Sequence, residues 1–318
     1  MLKLAGYSFS GGWMNVNKPP KTYIEQLQIL KDRGLGVEDE PKALHILEHH
    51  NYYRLSAYRF PFVEYGNPDK YLPGATFEAL WGLYCFDRGL RLLVGEACKR
   101  IEISVRARWA YVLGHAYGPQ AYEDPAHFRS SYQHTRQLAV LDDELSRSDE
   151  VFVSHYQSKY GMPRPPIWAT CEVMSFGLLS RFYTNIRHDR DKKRIAQTYQ
   201  LSIDGLKSLL EHTVYLRNLC AHHSRLWNRR FTVTVSLPSS KPVLLIPNFH
   251  PTKNRNLYNS LVLLTHMLYV IEPESCWPLR LLYHIQRLAP ELVPHMGLPN
   301  DWQSRPIWQQ LLSKGCNP

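Results

Sequence analysis

Arg217, Asn218, His222 and His223, followed by Arg225, Asn228 and Arg229, crowd reactive side chains into one run: Arg217-Asn218-Leu219-Cys220-Ala221-His222-His223-Ser224-Arg225-Leu226-Trp227-Asn228-Arg229. No carboxylate occurs between Glu211 and the end of this run. Fixed positive charge beside a titratable base, with no acid, suits a phosphodiester better than a sugar or a peptide bond. Arginine presents a planar fork of donors that matches phosphate oxygens. Histidine, with a reference pKa near ~6.5, gives or takes a proton at neutral pH. At about 100° per residue, a helix through the run puts Arg217 and His222 roughly 140° apart. Asn218, His222, Arg225 and Arg229 then share one stripe. Leu206, Leu209, Leu210, Leu216, Cys220 and Trp227 form the buried side. In that projection His222 faces outward and His223 turns back toward the core to hold structure. The competing reading of a lone Arg-x4-His is a basic, solvated helix face.

The elements that must position these residues follow from periodicity. Ser202, with Asp204 in the first turn, caps a helix over 202–228. A stripe of Leu83, Phe86, Leu90, Leu93, Ala97, Ile101, Val105, Trp109 and Val112 predicts a long helix over 77–113. On it Glu102 and Arg106 stand four residues apart, a spacing that pairs them along the surface for about 0.3–0.5 kcal/mol. Shorter helices are predicted over 23–33 and 41–50, then over 124–144 and 168–185, with Gly177 a point of close packing. Asn67 to Gly74 reads as a turn-rich linker and Arg187 to Arg194 as a charge-dense turn. Phe231 to Val235 alternates and Val243 to Ile246 follows a Pro-Ser-Ser-Lys-Pro turn, which allows a small hairpin. Helices return over 257–271, 279–288 and 306–313.

Composition sets the limits. The chain has 318 residues, formal charge +10 and pI near 9.2. That length can bury a large core, and the charge favours a polyanionic partner. The six cysteines stand singly, with no C-x2-C pair, as buried thiols do in a reducing cytosol. No H-E-x-x-H, G-x-G-x-x-G or Walker loop is present, and His49-His50 fits a helix end better than a metal site. No metal ligand set and no cofactor is expected. Met1 to Trp13 lacks the apolar core of a signal peptide. The most apolar C-terminal stretch, 257–271, is broken by Asn259, Ser260, Thr265 and His266, so no membrane span is expected and the location is read as cytoplasmic.

Arg-Asn-x-Cys-Ala-His-His-x-Arg-Leu-Trp-Asn-Arg resembles the signature of the Abi-like family, the AbiD/AbiF group of abortive-infection proteins, and contains the Arg-x4-His motif of HEPN ribonucleases. Further blocks follow in the family's order: Asn51-Tyr52-Tyr53-Arg54-Leu55-Ser56-Ala57-Tyr58, Phe86-Asp87-Arg88-Gly89-Leu90-Arg91, Arg100-Ile101-Glu102-Ile103-Ser104-Val105-Arg106, Pro165-Pro166-Ile167-Trp168, and Glu172 through Ser180. Gly89 stands where the family leads one to expect lysine and reads as a harmless departure. The resemblance implies a mostly α fold, a HEPN-type helical bundle with additional N- and C-terminal helices. Its layout would be a flexible arm over 1–20, a helical segment over 21–75, a HEPN-like domain carrying the motif over 76–230, and a hairpin or loop with C-terminal helices over 231–318. The two long helices would pack antiparallel.

The implied activity is a metal-independent endoribonuclease acting as a toxin-like effector in phage defence. His222 would serve as base or acid, Arg217 would bind phosphate, and Asn218 would orient the imidazole or a phosphate oxygen. His223, Arg225, Asn228 and Arg229 would support RNA binding; Glu102 would orient Arg217 or His222, and Arg106 would extend the phosphate-binding surface. RNA is the implied substrate, a structured noncoding RNA a second partner of the family's AbiF members, and a homodimer the implied assembly. Two other classes remain open at this point: an RNA-binding module without catalysis, and an antiphage factor that contacts only protein.

Overall fold

The computed structural model describes residues 19–237, 242 and 245–312; the arm expected over 1–20 lies almost wholly outside them. The chain divides into two compact units, one ending at Gly82 and one beginning at Leu83. In the first, Thr22 and Glu25 exchange side-chain and backbone bonds as a capping box that starts α1 (Tyr23–Asp32). Asp39 caps α2 (Glu40–His49) and Asn51 caps α3 (Tyr52–Ser56). Residues 67–74 are more than a linker. β1 (Val63–Glu64) pairs antiparallel with β2 (Asn67–Tyr71), and Tyr71 donates its N–H to Arg33 O, so the stretch is tied down by backbone bonds.

The unit from Leu83 on is built around α4 (Phe77–Tyr117). All nine residues of the predicted apolar stripe are buried, and Leu90, Ala97, Ile101, Val105, Trp109 and Val112 are wholly so. α5 (Ser131–Ser146) and α6 (Val151–Tyr160) come next. The single helix expected over 168–185 is two, α7 (Ile167–Val173) and α8 (Phe176–Asn185), because Ser175 caps α8 with its side chain and interrupts the run. A Cβ at Gly177 would meet Val214 at 3.8 Å, ordinary contact, so that glycine is not a point of unusually close packing. The charge-dense 187–194 stretch opens α9 (Asp189–Thr198), with Asp189 and Asp191 favouring the helix N-terminus. α10 (Ile203–Ala221) is capped by Ser202 as predicted and packs against α8 and α9. It stops well short of the expected end at 228.

No strand forms over 231–237; of the expected hairpin's second arm, residues 243 and 244 lie outside the described residues, and Leu245 and Ile246 are in a turn and a 3-10 helix (Ile246–Asn248). Side chains and loop backbone have taken the polar groups a ladder would use. His212 Nδ1 bonds Val233 O at 2.9 Å, Asn254 Nδ2 donates to Val235 O at 2.8 Å, and Ser236 N donates to Ser208 Oγ at 2.7 Å. The chain continues through α11 (Leu257–Ile271), α12 (Trp277–Gln286) and α13 (Pro306–Leu312). The C-terminal part is docked on α4. Trp277 Nε1 donates to Leu93 O at 2.8 Å, Arg280 grips Glu96 at 2.8 and 3.1 Å, and the His284 ring stacks on Phe86 at 4.5 Å. Gly89 lies under that ring, and a Cβ there would come 2.5 Å from His284 Cε1. Glycine is therefore required where lysine was expected, a consequence of a helix far along the chain. The fold is mostly α with one small antiparallel sheet among the described residues. No described helix is long and apolar enough to cross a membrane.

Candidate active site

α4 and α10 run antiparallel. Asp87 meets the backbone at 226–227, Gly95 faces Cys220, with an added Cβ 3.7 Å from Cys220 Cβ, and Glu102 faces Arg217. That separation is ordinary contact, so the helices pack side by side there without needing a glycine. Glu102 then sits between two guanidiniums: Arg106 at 2.6 Å and Arg217 Nε at 3.9 Å. The pair expected to be exposed is nearly enclosed, with side-chain exposures of 13% for Glu102 and 15% for Arg106. Arg106 is held further by donation to Met174 O at 2.7 Å and by Glu172 at 3.9 Å. Arg217 keeps 36% of its side chain exposed and donates from Nη1 to Asn218 Oδ1 at 3.2 Å. Burial raises the Glu102 pKa, against the opposing pull of Arg106 and then Arg217.

The helical projection fails just past this cluster. α10 ends at Ala221 with His222 as its cap, and His223 takes a left-handed conformation at φ +54°. Ser224 N donates to Leu219 O and His223 N to Cys220 O, the two bonds of a Schellman ending. Glycine usually fills the position His223 occupies. His223 consequently stands exposed instead of turning to the core, because a rotation of 100° per residue does not extend beyond the helix. Arg225 and Arg229 likewise share no helical stripe with His222. His222 is exposed, and its ring has no hydrogen-bond partner among the described residues.

The chain beyond the cap is fixed by Asp87, a residue outside the expected site residues. Asp87 is wholly buried and accepts the backbone N–H of Leu226 at 3.1 Å and of Trp227 at 2.7 Å, while pairing with buried Arg91. Leu226 and Trp227 are also fully buried, and Trp227 Nε1 donates to Leu292 O at 3.1 Å. The Leu-Trp of the motif is therefore an anchor. Asn228 takes φ +50°, a conformation asparagine tolerates, and Arg229 Nη1 reaches Arg225 O at 3.4 Å. The one available signal for Asp87 was an acid and a base four residues apart inside an otherwise apolar stripe. The structure thus gathers Glu102, Arg106, Arg217 and Asn218, sets His222 at the end of the same helix as Arg217, and puts Arg225, Asn228 and Arg229 on an anchored tail.

Among the described residues, one group has metal-ligand spacing: His45, Glu48 and His49 on α2, all exposed, with candidate atoms within 4.8 Å of one another. It belongs to the first unit, and α2 ends there, with His50 as its cap. The described cysteines are free thiols.

No curated protein and no solved structure gives a significant match to this chain. A model of the Abi-like protein family matches residues 45–228, more than half of the sequence. That span includes α3, all of α4, the Glu102–Arg217 cluster and the tail up to Asn228. The chain belongs to the Abi-like protein family, whose proteins act in abortive infection, a form of phage defence.

Proposed function

We propose that this chain is a metal-independent, HEPN-type endoribonuclease acting as the effector of that defence. The observation that carries the reading is Glu102 between Arg106 and Arg217, which steadies Arg217 while leaving its guanidinium partly open beside Asn218, on the helix that ends at the exposed His222. In the proposed reaction His222 takes the proton of a ribose 2′-hydroxyl. The 2′-oxygen bonds to the adjacent phosphorus, the bond to the 5′-oxygen breaks, and that oxygen leaves with a proton supplied by an acid on the opposite side. Arg217 neutralises charge growing on the non-bridging oxygens. The products are a 2′,3′-cyclic phosphate and a 5′-hydroxyl. One motif offers one such base, so a second copy of the chain facing the first would supply the acid, which is the reason to expect a homodimer.

The use of the nearby acids supports metal independence. Glu102 and Glu172, the carboxylates beside the motif, face guanidiniums and are poorly disposed to bind a cation. The test is His222→Ala. Cleavage should fall by at least about 100-fold while RNA affinity persists, and wild-type cleavage should survive EDTA. Unchanged cleavage by folded His222→Ala protein, or strict dependence on added Mg²⁺, would sink the assignment. A second reading, RNA binding without catalysis, is favoured by the lack of any described partner to fix the His222 tautomer. That reading expects equal RNA affinity and no cleavage from either protein.

A further inference from the structure

The tail beyond the motif forms one wall of a second concave surface. A cavity of about 380 Å³ is lined by Asn228, Arg230, Lys253, Arg255, Asn256 and His295, among others, and no lining residue is acidic. Arg230 and Lys253 are exposed, and no ion pair joins either to a carboxylate among the described residues. Arg255 is oriented by donation from Nε to Phe231 O at 3.0 Å, while Phe231 N bonds Arg255 O at 2.8 Å. His295 packs edge-on against Trp227 at 5.3 Å, so the far wall rests on the anchored motif tail. Asn256 is the N-cap of α11 and makes no side-chain capping bond, so the positive end of a fifteen-residue helix opens at the same place. Three guanidinium or ammonium groups around one concavity repel each other unless an anion lies between them.

We infer that this pocket holds a backbone phosphate of the RNA strand that crosses the motif, so that residues outside the family match extend the substrate-binding surface. The inference rests on RNA as the ligand, the reading proposed above. Asn228 belongs to both surfaces and stands six positions after His222, at most about 20 Å of chain. A strand held at Arg217 can therefore reach the pocket within a few nucleotides.

The test is binding of a fluorescein-labelled single-stranded RNA oligonucleotide to full-length His222→Ala protein, titrated over a range of salt concentrations. Arg230→Gln with Lys253→Gln should weaken binding about tenfold or more at low salt. It should also reduce the slope of log affinity against log salt by about 0.7, the value for one lost phosphate contact on a single strand. Arg230→Lys with Lys253→Arg should keep the slope, and both side chains are exposed, so melting should not move. If RNA is cut by the protein with His222 intact but affinity and slope ignore the Gln pair, the pocket is overturned and the nuclease reading stands. If no RNA is cut but affinity depends on the pair, the pocket stands and the nuclease reading falls. No RNA binding at low salt overturns both.

Discussion

Glu102 is held where its charge is disfavoured. Its raised pKa means that burial outweighs the attraction of Arg106 and Arg217, so the carboxylate gains less from its partners than it loses in hydration. Stability from such a group is full below the unfolded pKa and declines as pH rises through the folded one. At neutral pH the neutral isostere should therefore fold as well or slightly better. We expect Glu102→Gln to leave the melting temperature unchanged or raised while lowering cleavage about tenfold, because Arg217 loses its orienting partner. Equal cleavage by both proteins would make Glu102 scaffold only. His223 supplies the converse case. Its left-handed backbone costs about 1 kcal/mol that glycine would not incur. His223→Gly should raise stability by about that amount in urea denaturation, and His223→Ala, which keeps the same backbone strain, should not. A glycine variant no more stable than wild type would mean that the imidazole's own contacts offset the strain.

Among the elements, the decisive fact is that the motif is half helix and half anchored turn. α10 presents Arg217 and Asn218, its Schellman ending presents His222, and Asp87 on α4 fixes the turn beyond. Removing Asp87 leaves Arg91 buried without its carboxylate and strips two buried N–H groups of their acceptor. Asp87→Ala should cost about 3–5 kcal/mol in urea denaturation. The same change releases Leu226 and Trp227, so RNA affinity should fall even where the protein remains folded. A loss below about 1 kcal/mol would show that the tail is held by its apolar side chains alone.

Across the molecule as a whole, the unit from Leu83 on is closed by a buried histidine. His212 joins α10 to residues 231–237 through Val233 O and to α11 through Ser260 Oγ at 2.7 Å. Donation to a carbonyl requires a proton on Nδ1, which leaves Nε2 to accept from the serine hydroxyl. Burial lowers its pKa to about 4 from 6.5, with the bond to Val233 opposing. The unfolded chain thus binds the proton more tightly than the folded one. This contribution is fully present above pH 6.5 and is lost as pH falls toward 4, by about 3 kcal/mol in all. Urea midpoints should drop across that window, and His212→Asn should flatten the drop. A pH profile identical in both proteins would assign acid lability to other groups.

Features that repeat along the chain were legible in the residues alone: the apolar stripe that buries α4, the Ser202 cap, the helices at 257–271 and 306–312, and an acid-free cluster of arginine and histidine matched to phosphate chemistry. They depend on residues within a turn or two of one another, so spacing carries them. Spacing could not show where α10 stops, because a histidine in the left-handed position carries no glycine signal. Nor could it show that Glu102 lies against Arg217, 115 positions away, or that Gly89 must clear the His284 ring. The 231–235 alternation looked like a strand because local pattern cannot reveal that His212, Asn254 and Ser208 take the backbone bonds a partner strand would need. Those outcomes belong to tertiary structure, since each depends on which distant side chain reaches a polar group or a vacant volume first.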